Sequence, residues 1–116
     1  MVIPTCNRKA RLISLLRDLD RFSYIPAEVI IVDSGDDQPS PEELSVFTNL
    51  SIQYIRTEKS VCIQRNTGIA KAVSPWIFLC DDDMELPQDY LQKLVAYAMS
   101  YPETGAISGV WLEQVD

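Results

Sequence analysis

Three consecutive aspartates, Asp81, Asp82 and Asp83, are the side chains of this sequence best suited to binding a cation. They follow the apolar run Trp76–Cys80, whose composition is typical of a buried strand. Adjacent carboxylates repel one another unless a cation neutralises them, and Mn²⁺ and Mg²⁺ prefer oxygen ligands. Because side chains alternate along an extended backbone, Asp81 and Asp83 are expected on the same side, where we predict that they bind a divalent metal.

A second polar cluster, 33–37, follows the β-branched strand predicted over Glu28–Asp33. Asp33 at the strand end could accept hydrogen bonds from a nucleobase N–H or a ribose hydroxyl. Gly35 would allow a sharp turn and the close approach of a ligand. An ordinary Asp/Gly turn is the alternative interpretation.

The third cluster, Pro4–Arg8, follows the first predicted strand, Val2–Ile3. Asn7 in this cluster could bind a ligand or could cap the helix that begins near Arg8. Arg65, on a later predicted helix, could pair with a phosphate or could be an ordinary surface residue.

Strand-like and helix-like patterns alternate along the whole chain. Strands are predicted over Val2–Ile3, Glu28–Asp33, Ile52–Arg56, Trp76–Cys80 and Ala106–Leu112, and helices over Arg8–Phe22, from Pro41 behind a Ser40 N-cap, over Val61–Val73 and over Asp89–Tyr101. This order predicts one α/β domain over residues 1–116, a three-layer α/β/α sandwich with a mainly parallel sheet. Ligands of such sheets bind beyond the carboxyl ends of the strands, where strand order reverses, so the three clusters are expected at one edge.

Composition excludes several other functions. The 116 residues carry a net charge of −7, which is unsuited to binding nucleic acid phosphates. Histidine is absent, so His-based triads and His metal ligands are excluded, and the three cysteines are too widely spaced for a zinc knuckle. No stretch approaches about 18 uninterrupted apolar residues, so we expect no membrane span. With no signal-like segment ahead of the first motif, we expect a cytoplasmic protein, the cytoplasmic membrane face being the alternative.

The clusters together resemble the amino-terminal part of family-2 glycosyltransferases. That family typically shows P-x-Y-N-R after a strand, then V-D-D-G-S, A-R-N-x-G and D-x-D, and the matching stretches here are 2–8, 31–37, 64–69 and 78–89. The resemblance implies a GT-A fold and an inverting enzyme that transfers a sugar from a nucleoside-diphosphate sugar to an acceptor hydroxyl, with a role in cell-wall or polysaccharide biosynthesis. The acceptor, a saccharide, lipid or protein, stays open.

The resemblance also implies a role for each cluster. The implied nucleotide-sugar-binding residues are Pro4, Thr5, Cys6, Asn7, Arg8, Asp33, Ser34, Gly35, Arg65, Asp81 and Asp82. Asp83 is the first choice as ligand of the Mn²⁺ or Mg²⁺ ion, together with Asp81, and the metal would act as a Lewis acid on the leaving diphosphate. The catalytic base is expected beyond Asp116, so no catalytic residue is assigned within the chain.

This sequence departs from the family pattern at three positions. Cys6 stands where an aromatic residue usually stacks on the base, Ser34 replaces the second Asp of V-D-D-G-S, and Ser60 replaces a frequent Gly. These departures indicate a different donor or a subfamily variant, and they leave open a non-catalytic nucleotide-binding or signalling module. A receiver domain is disfavoured because the first loop lacks an acidic pair, and a dinucleotide-binding domain because no G-x-G-x-x-G is present.

Overall fold

The computed structural model describes residues 1–109 of the chain. The described elements are the strands β1 (Val2–Thr5), β2 (Val29–Asp33) and β3 (Ile52–Arg56) and the helices α1 (Lys9–Leu19), α2 (Pro41–Ser45), α3 (Val61–Lys71) and α4 (Tyr90–Ser100). The strands form a parallel sheet in the order β1-β2-β3. None of the helices in this part of the chain has the length and apolar character needed to cross a bilayer.

The three strands end level with one another. Thr5 is the register partner of Asp33, and Asp33 is the register partner of Arg56. The last residues of all three strands therefore lie side by side at the carboxyl edge of the sheet, as expected for ligand-binding residues of a parallel α/β sheet.

Helix α1 covers one face of the sheet with four leucines at the spacing of three and four residues that is typical of an amphipathic helix. Its four buried leucines are Leu12, Leu15, Leu16 and Leu19. They pack in one cluster with Ile3 and Ile31, and Leu91 of α4 belongs to the same cluster. Each leucine that is fully removed from water stabilises the fold by about 1.5–3 kcal/mol. The apolar cluster thereby fixes α1 and α4 on this face.

Helix α3 covers the opposite face through Gln64 and Gly68, its two buried residues. A Cβ added at Gly68 would lie 2.3 Å from Cγ1 of Val2, so the helix backbone approaches β1 closely. The aliphatic side chains Ile63 and Ile69 of this helix face outward and are each 39% exposed. With helices on both faces, the three-layer α/β/α arrangement is confirmed.

The short helix α2 begins as its sequence predicts. The Ser40 hydroxyl accepts a hydrogen bond from the Glu43 amide at 3.1 Å, and the Glu43 carboxylate accepts one from the Ser40 amide at 3.1 Å. This capping box satisfies backbone groups that a helix start otherwise leaves unpaired. The backbone hydrogen bond from Ser40, helped by nearby Lys9, lowers the pKa of Glu43.

The strand predicted over Trp76–Cys80 is reduced to one parallel bridge between Leu79 and Val2. The Val2 amide donates to the Phe78 carbonyl at 2.8 Å, and the Cys80 amide donates to the Val2 carbonyl at 3.0 Å. This segment lies on the side of β1 opposite β2, so strand order reverses at β1. A buried strand was predicted, but among the described residues this segment forms an edge of the sheet.

The last predicted strand, Ala106–Leu112, is not formed in the described part of its range. Residues 106–109 carry no strand, and residues 110–112 lie outside the described residues.

The close approach at Gly68 gives a stability prediction. Gly68→Ala should lower the free energy of unfolding by about 1–3 kcal/mol, because the new methyl group overlaps Val2 and the helix must move away from the sheet. Urea denaturation followed by circular dichroism measures this change.

Gly105→Ala is the matched control, because a Cβ at Gly105 meets nothing within 4 Å. Equal stabilities of the two variants would contradict the packing described for α3.

Candidate functional site

A hydrogen bond between two distant segments organises the carboxyl edge of the sheet. The Thr5 hydroxyl at the end of β1 donates to Oδ2 of Asp82 at 2.8 Å, and Asp82 is only 5% exposed. Thr5 is also the register partner of Asp33. The two acidic clusters therefore flank the end of the same strand, and their predicted convergence at one edge is confirmed.

Asp82 is buried, while Asp81 and Asp83 on either side of it are exposed, as alternation predicts. The turn begins at Asp82, and the exposed pair do not contact the same groups. Asp82 points inward, while Arg65 Nη2 lies 3.0 Å from Oδ1 of Asp81. Arg8 Nη1 lies 3.2 Å from Oδ1 of Asp82 and 3.6 Å from Oδ2 of Asp83. Asp81 and Asp83 thus contact different arginines.

Two guanidinium groups partly neutralise the three carboxylates. Arg8 stands between Asp82 and Asp83, where their combined field attracts a positive charge. Within residues 1–109, no group of three or more His, Cys, Asp or Glu side chains is arranged to hold a metal ion. The carboxylates could still supply part of a coordination shell, because Mg²⁺ is commonly held by one or two carboxylates together with substrate phosphates.

The Asp33 carboxylate is almost completely enclosed by protein groups. Its Oδ1 accepts a hydrogen bond from the Gly35 amide at 2.8 Å and lies 3.5 Å from Nη1 of Arg56. Its Oδ2 accepts the hydroxyl of Tyr54 at 2.5 Å. Burial, followed by this hydrogen bond to Asp33, raises the pKa of Tyr54 to about 12, so the phenol stays protonated at neutral pH.

Asn7 joins the first polar loop to the second instead of capping α1. Its Oδ1 accepts hydrogen bonds from the amides of Asp36 at 2.7 Å and Asp37 at 3.0 Å. Its φ of 53° lies in the left-handed region, which asparagine tolerates better than most residues. A Cβ at Gly35 would lie 2.4 Å from the Asn7 nitrogen, so a glycine is needed where the loops meet. The N-cap of α1 is Arg8, which makes no side-chain cap hydrogen bond.

The other predicted residues of the first two loops surround this edge. Pro4 is buried within β1, Cys6 is half-buried, and the Ser34 amide donates to the Thr5 carbonyl at 3.1 Å. The buried Ser34 hydroxyl oxygen has no hydrogen-bond partner among the described residues.

Thiolate chemistry is disfavoured beside the aspartates. Burial, reinforced by the negative charges of Asp81, Asp83 and Asp82, raises the pKa of the Cys80 thiol to about 12. Cys80 is therefore a neutral, buried thiol at physiological pH, and the oxygen ligands around it suit a hard cation better than a soft one.

Two residues of this edge escaped sequence-based prediction. Tyr54 precedes Arg56 by two positions on β3, and this spacing was the available signal that both reach Asp33. Gln64 is only 4% exposed, and its Nε2 donates to the carbonyls of Thr5 at 2.9 Å and Val32 at 2.8 Å. Nothing in the sequence indicated that Gln64 would be buried, because the same helix also carries aliphatic side chains.

The backbone matches solved structures of one S. aureus protein, TarS. It superposes on the crystal structure of S. aureus TarS residues 1–349 with a TM-score of 0.76 and 18% identity, covering 97% of this chain and 37% of that one. The structure of the same protein in complex with UDP gives a TM-score of 0.75 and 19% identity. These matches confirm the GT-A fold.

Sequence relatives give the same family. An uncharacterized glycosyltransferase of Bacillus subtilis, YwdF, is 32% identical over 96 residues, which is 81% of this chain and 35% of that protein. An uncharacterized glycosyltransferase of Haemophilus influenzae is 30% identical over 89 residues, 76% of this chain and 30% of that protein. The chain thus spans about a third of the length of the curated relatives it matches. The model of glycosyl transferase family 2 matches residues 1–116, and this chain belongs to that family.

Proposed function

We propose that this chain forms the donor site of an inverting glycosyltransferase that uses a nucleoside-diphosphate sugar. The observation that carries the proposal is the Thr5–Asp82 hydrogen bond, which brings the end of β1, with its register partner Asp33, next to three aspartates and two arginines. A cationic and anionic edge of this kind suits a ligand that combines polar base and ribose groups with a diphosphate.

The nucleoside would lie on the side of β1 that carries Asp33. Pro4 and Asp33, which are both buried, would lie beneath the base and ribose pocket, with Thr5, Cys6 and Ser34 around it. Asn7 accepts a hydrogen bond from the Asp36 amide, and Gly35 packs against Asn7, so the two loops are held together. These two residues would therefore shape the pocket instead of contacting the base. The UDP complex of TarS supports a nucleoside diphosphate as the ligand class.

The diphosphate would lie on the side of β1 that carries the aspartates. Arg8 and Arg65 are paired with carboxylates in the described structure. With a cation held by these carboxylates, the guanidinium groups of Arg8 and Arg65 would be available to hydrogen-bond to phosphate oxygens.

The acidic residues fit a hard divalent cation, Mn²⁺ or Mg²⁺, because the Arg8 guanidinium already occupies a cation position between two carboxylates. Asp83 and Asp81 are the proposed ligands. The contacts favour Asp83, since it shares Arg8 with Asp82 whereas Asp81 pairs separately with Arg65. When bound, such a cation supplies Lewis acidity that stabilises negative charge on the leaving diphosphate.

No residue of this chain is proposed as the base that deprotonates the acceptor hydroxyl. The chain spans about a third of its curated relatives, and the acceptor-binding residues and the base are proposed to lie in the part that those relatives have in addition. The activity proposed here is accordingly that of the whole transferase, with this chain binding the donor.

Calorimetric titration with uridine, guanosine and thymidine diphosphates tests the donor site. We expect one of these to bind at least tenfold more tightly with Mn²⁺ than without it, which corresponds to about 1.4 kcal/mol. Asp83→Ala should abolish the difference, because one carboxylate beside Arg8 is lost, while circular dichroism shows an unchanged fold.

Asp89→Ala is the matched control, since it removes the same charge from a surface pair with Lys93. Undiminished Mn²⁺ dependence in Asp83→Ala would refute the metal role of Asp83. Failure of every nucleotide to bind the unmodified chain would instead support a module that kept the fold and lost the donor site.

The buried Asp33–Tyr54 pair gives a second prediction. Tyr54→Phe should lower the free energy of unfolding at pH 7 by about 1–3 kcal/mol, because Asp33 loses a hydrogen-bond donor inside the protein. The difference from the unmodified chain should shrink above pH 10. There the unfolded tyrosine loses its proton while the folded one, with its pKa raised to about 12, keeps it.

Urea titrations from pH 7 to pH 11 measure this difference. Tyr24→Phe is the control, because Tyr24 is 44% exposed. A difference that stays constant or widens with pH would contradict the raised pKa of Tyr54.

A further inference from the structure

The buried surface of α3 contains a polar side chain that the proposed donor site does not itself use. Gln64 and Gly68 are the two buried residues of this helix, one turn apart on the same side. An amide removed from water is unfavourable unless it finds hydrogen-bond partners, so a buried glutamine facing a sheet calls for an explanation beyond packing.

The amide nitrogen of Gln64 connects two neighbouring strands at their ends. It donates to the carbonyl of Thr5 in β1 at 2.9 Å and to the carbonyl of Val32 in β2 at 2.8 Å. An amide nitrogen has two hydrogens, so these two bonds use its full donor capacity. No other described side chain donates to backbone carbonyls of both strands.

Both carbonyls belong to residues next to the proposed ligand groups. Thr5 holds Asp82 through its hydroxyl, and its carbonyl also accepts the Ser34 amide at 3.1 Å. Val32 directly precedes Asp33. Asp82 lies on the proposed diphosphate side and Asp33 on the proposed nucleoside side. The positions of both thus depend on carbonyls that accept hydrogen bonds from Gln64.

We infer that Gln64 is a positioning residue of the donor site, which sets the spacing between the nucleoside half at Asp33 and the diphosphate half at Thr5 and Asp82. The inference rests on the proposed function and adds a residue that contacts neither ligand nor metal. Gln64 also fixes the first turn of α3 against the sheet, so Arg65, the next residue, starts from a defined position.

The test compares ligand binding with stability in Gln64→Met. Methionine is also unbranched and fills a similar space but donates no hydrogen bond. We expect the Mn²⁺-dependent dissociation constant for the nucleoside diphosphate that binds the unmodified chain to rise at least tenfold at a temperature where the variant stays folded. Amide NMR shifts of Thr5, Ser34 and Asp82 should move in the variant.

Ile30→Val is the matched control, because Ile30 is buried in the cluster on the α3 face of the sheet and offers no side-chain hydrogen bond. Ile30→Val should lower the stability of the fold somewhat and leave the dissociation constant for the nucleoside diphosphate unchanged. Two outcomes would overturn the inference. If the unmodified chain binds nucleotide and Gln64→Met binds it equally well, Gln64 is only structural. If the unmodified chain binds no nucleotide, the proposed donor site is refuted, and the proposed role of Gln64 is refuted with it.

Discussion

The candidate site depends on the hydrogen bond from the Thr5 hydroxyl to Asp82. It joins the first strand to a turn 77 positions later in the chain, and the segment before that turn is held to β1 by only one bridge. A single parallel bridge is a weak attachment compared with the continuous pairing of β1, β2 and β3. The buried carboxylate therefore helps to locate the acidic turn, which the short pairing alone would leave poorly fixed.

Burying Asp82 is possible because its charge is compensated. An isolated ionised carboxylate is very unfavourable away from water, but Asp82 has a hydroxyl donor on one oxygen and the Arg8 guanidinium on the other. Arg8 also faces Asp83, and Arg65 faces Asp81. Two cations beside three carboxylates leave one negative charge, so the edge keeps an attraction for a divalent ion while it stays stable without one.

The periodicity of apolar residues in the sequence predicted β2, which is buried on both sides, and α1, which is buried on one side. The continuous run of β2 and the leucines of α1 lie where their spacing places them, because burial of apolar surface dominates there. The clusters after the strands were also predicted, since parallel strands bring their carboxyl ends to one edge.

The directions of individual side chains were not predictable in the same way. Alternation placed Asp81 and Asp83 on one side, but it could not indicate that Asp81 contacts Arg65 while Asp83 contacts Arg8. Asn7 looked like a helix cap, and its positive φ directs its oxygen to the amides of the next loop instead. Such outcomes depend on contacts between segments distant in sequence, which local patterns do not contain.

The orientation of α3 follows from the same edge. The Gln64 amide can reach the carbonyls of Thr5 and Val32 only if the helix lies close to the sheet. Close approach requires a residue without a side chain one turn later, and Gly68 against Val2 meets that requirement. Aliphatic side chains on that surface would hold the helix away, and Ile63 and Ile69 lie on another side of α3. The Gln64 hydrogen bonds and the close contact of Gly68 with Val2 therefore both favour this side of the helix facing the sheet.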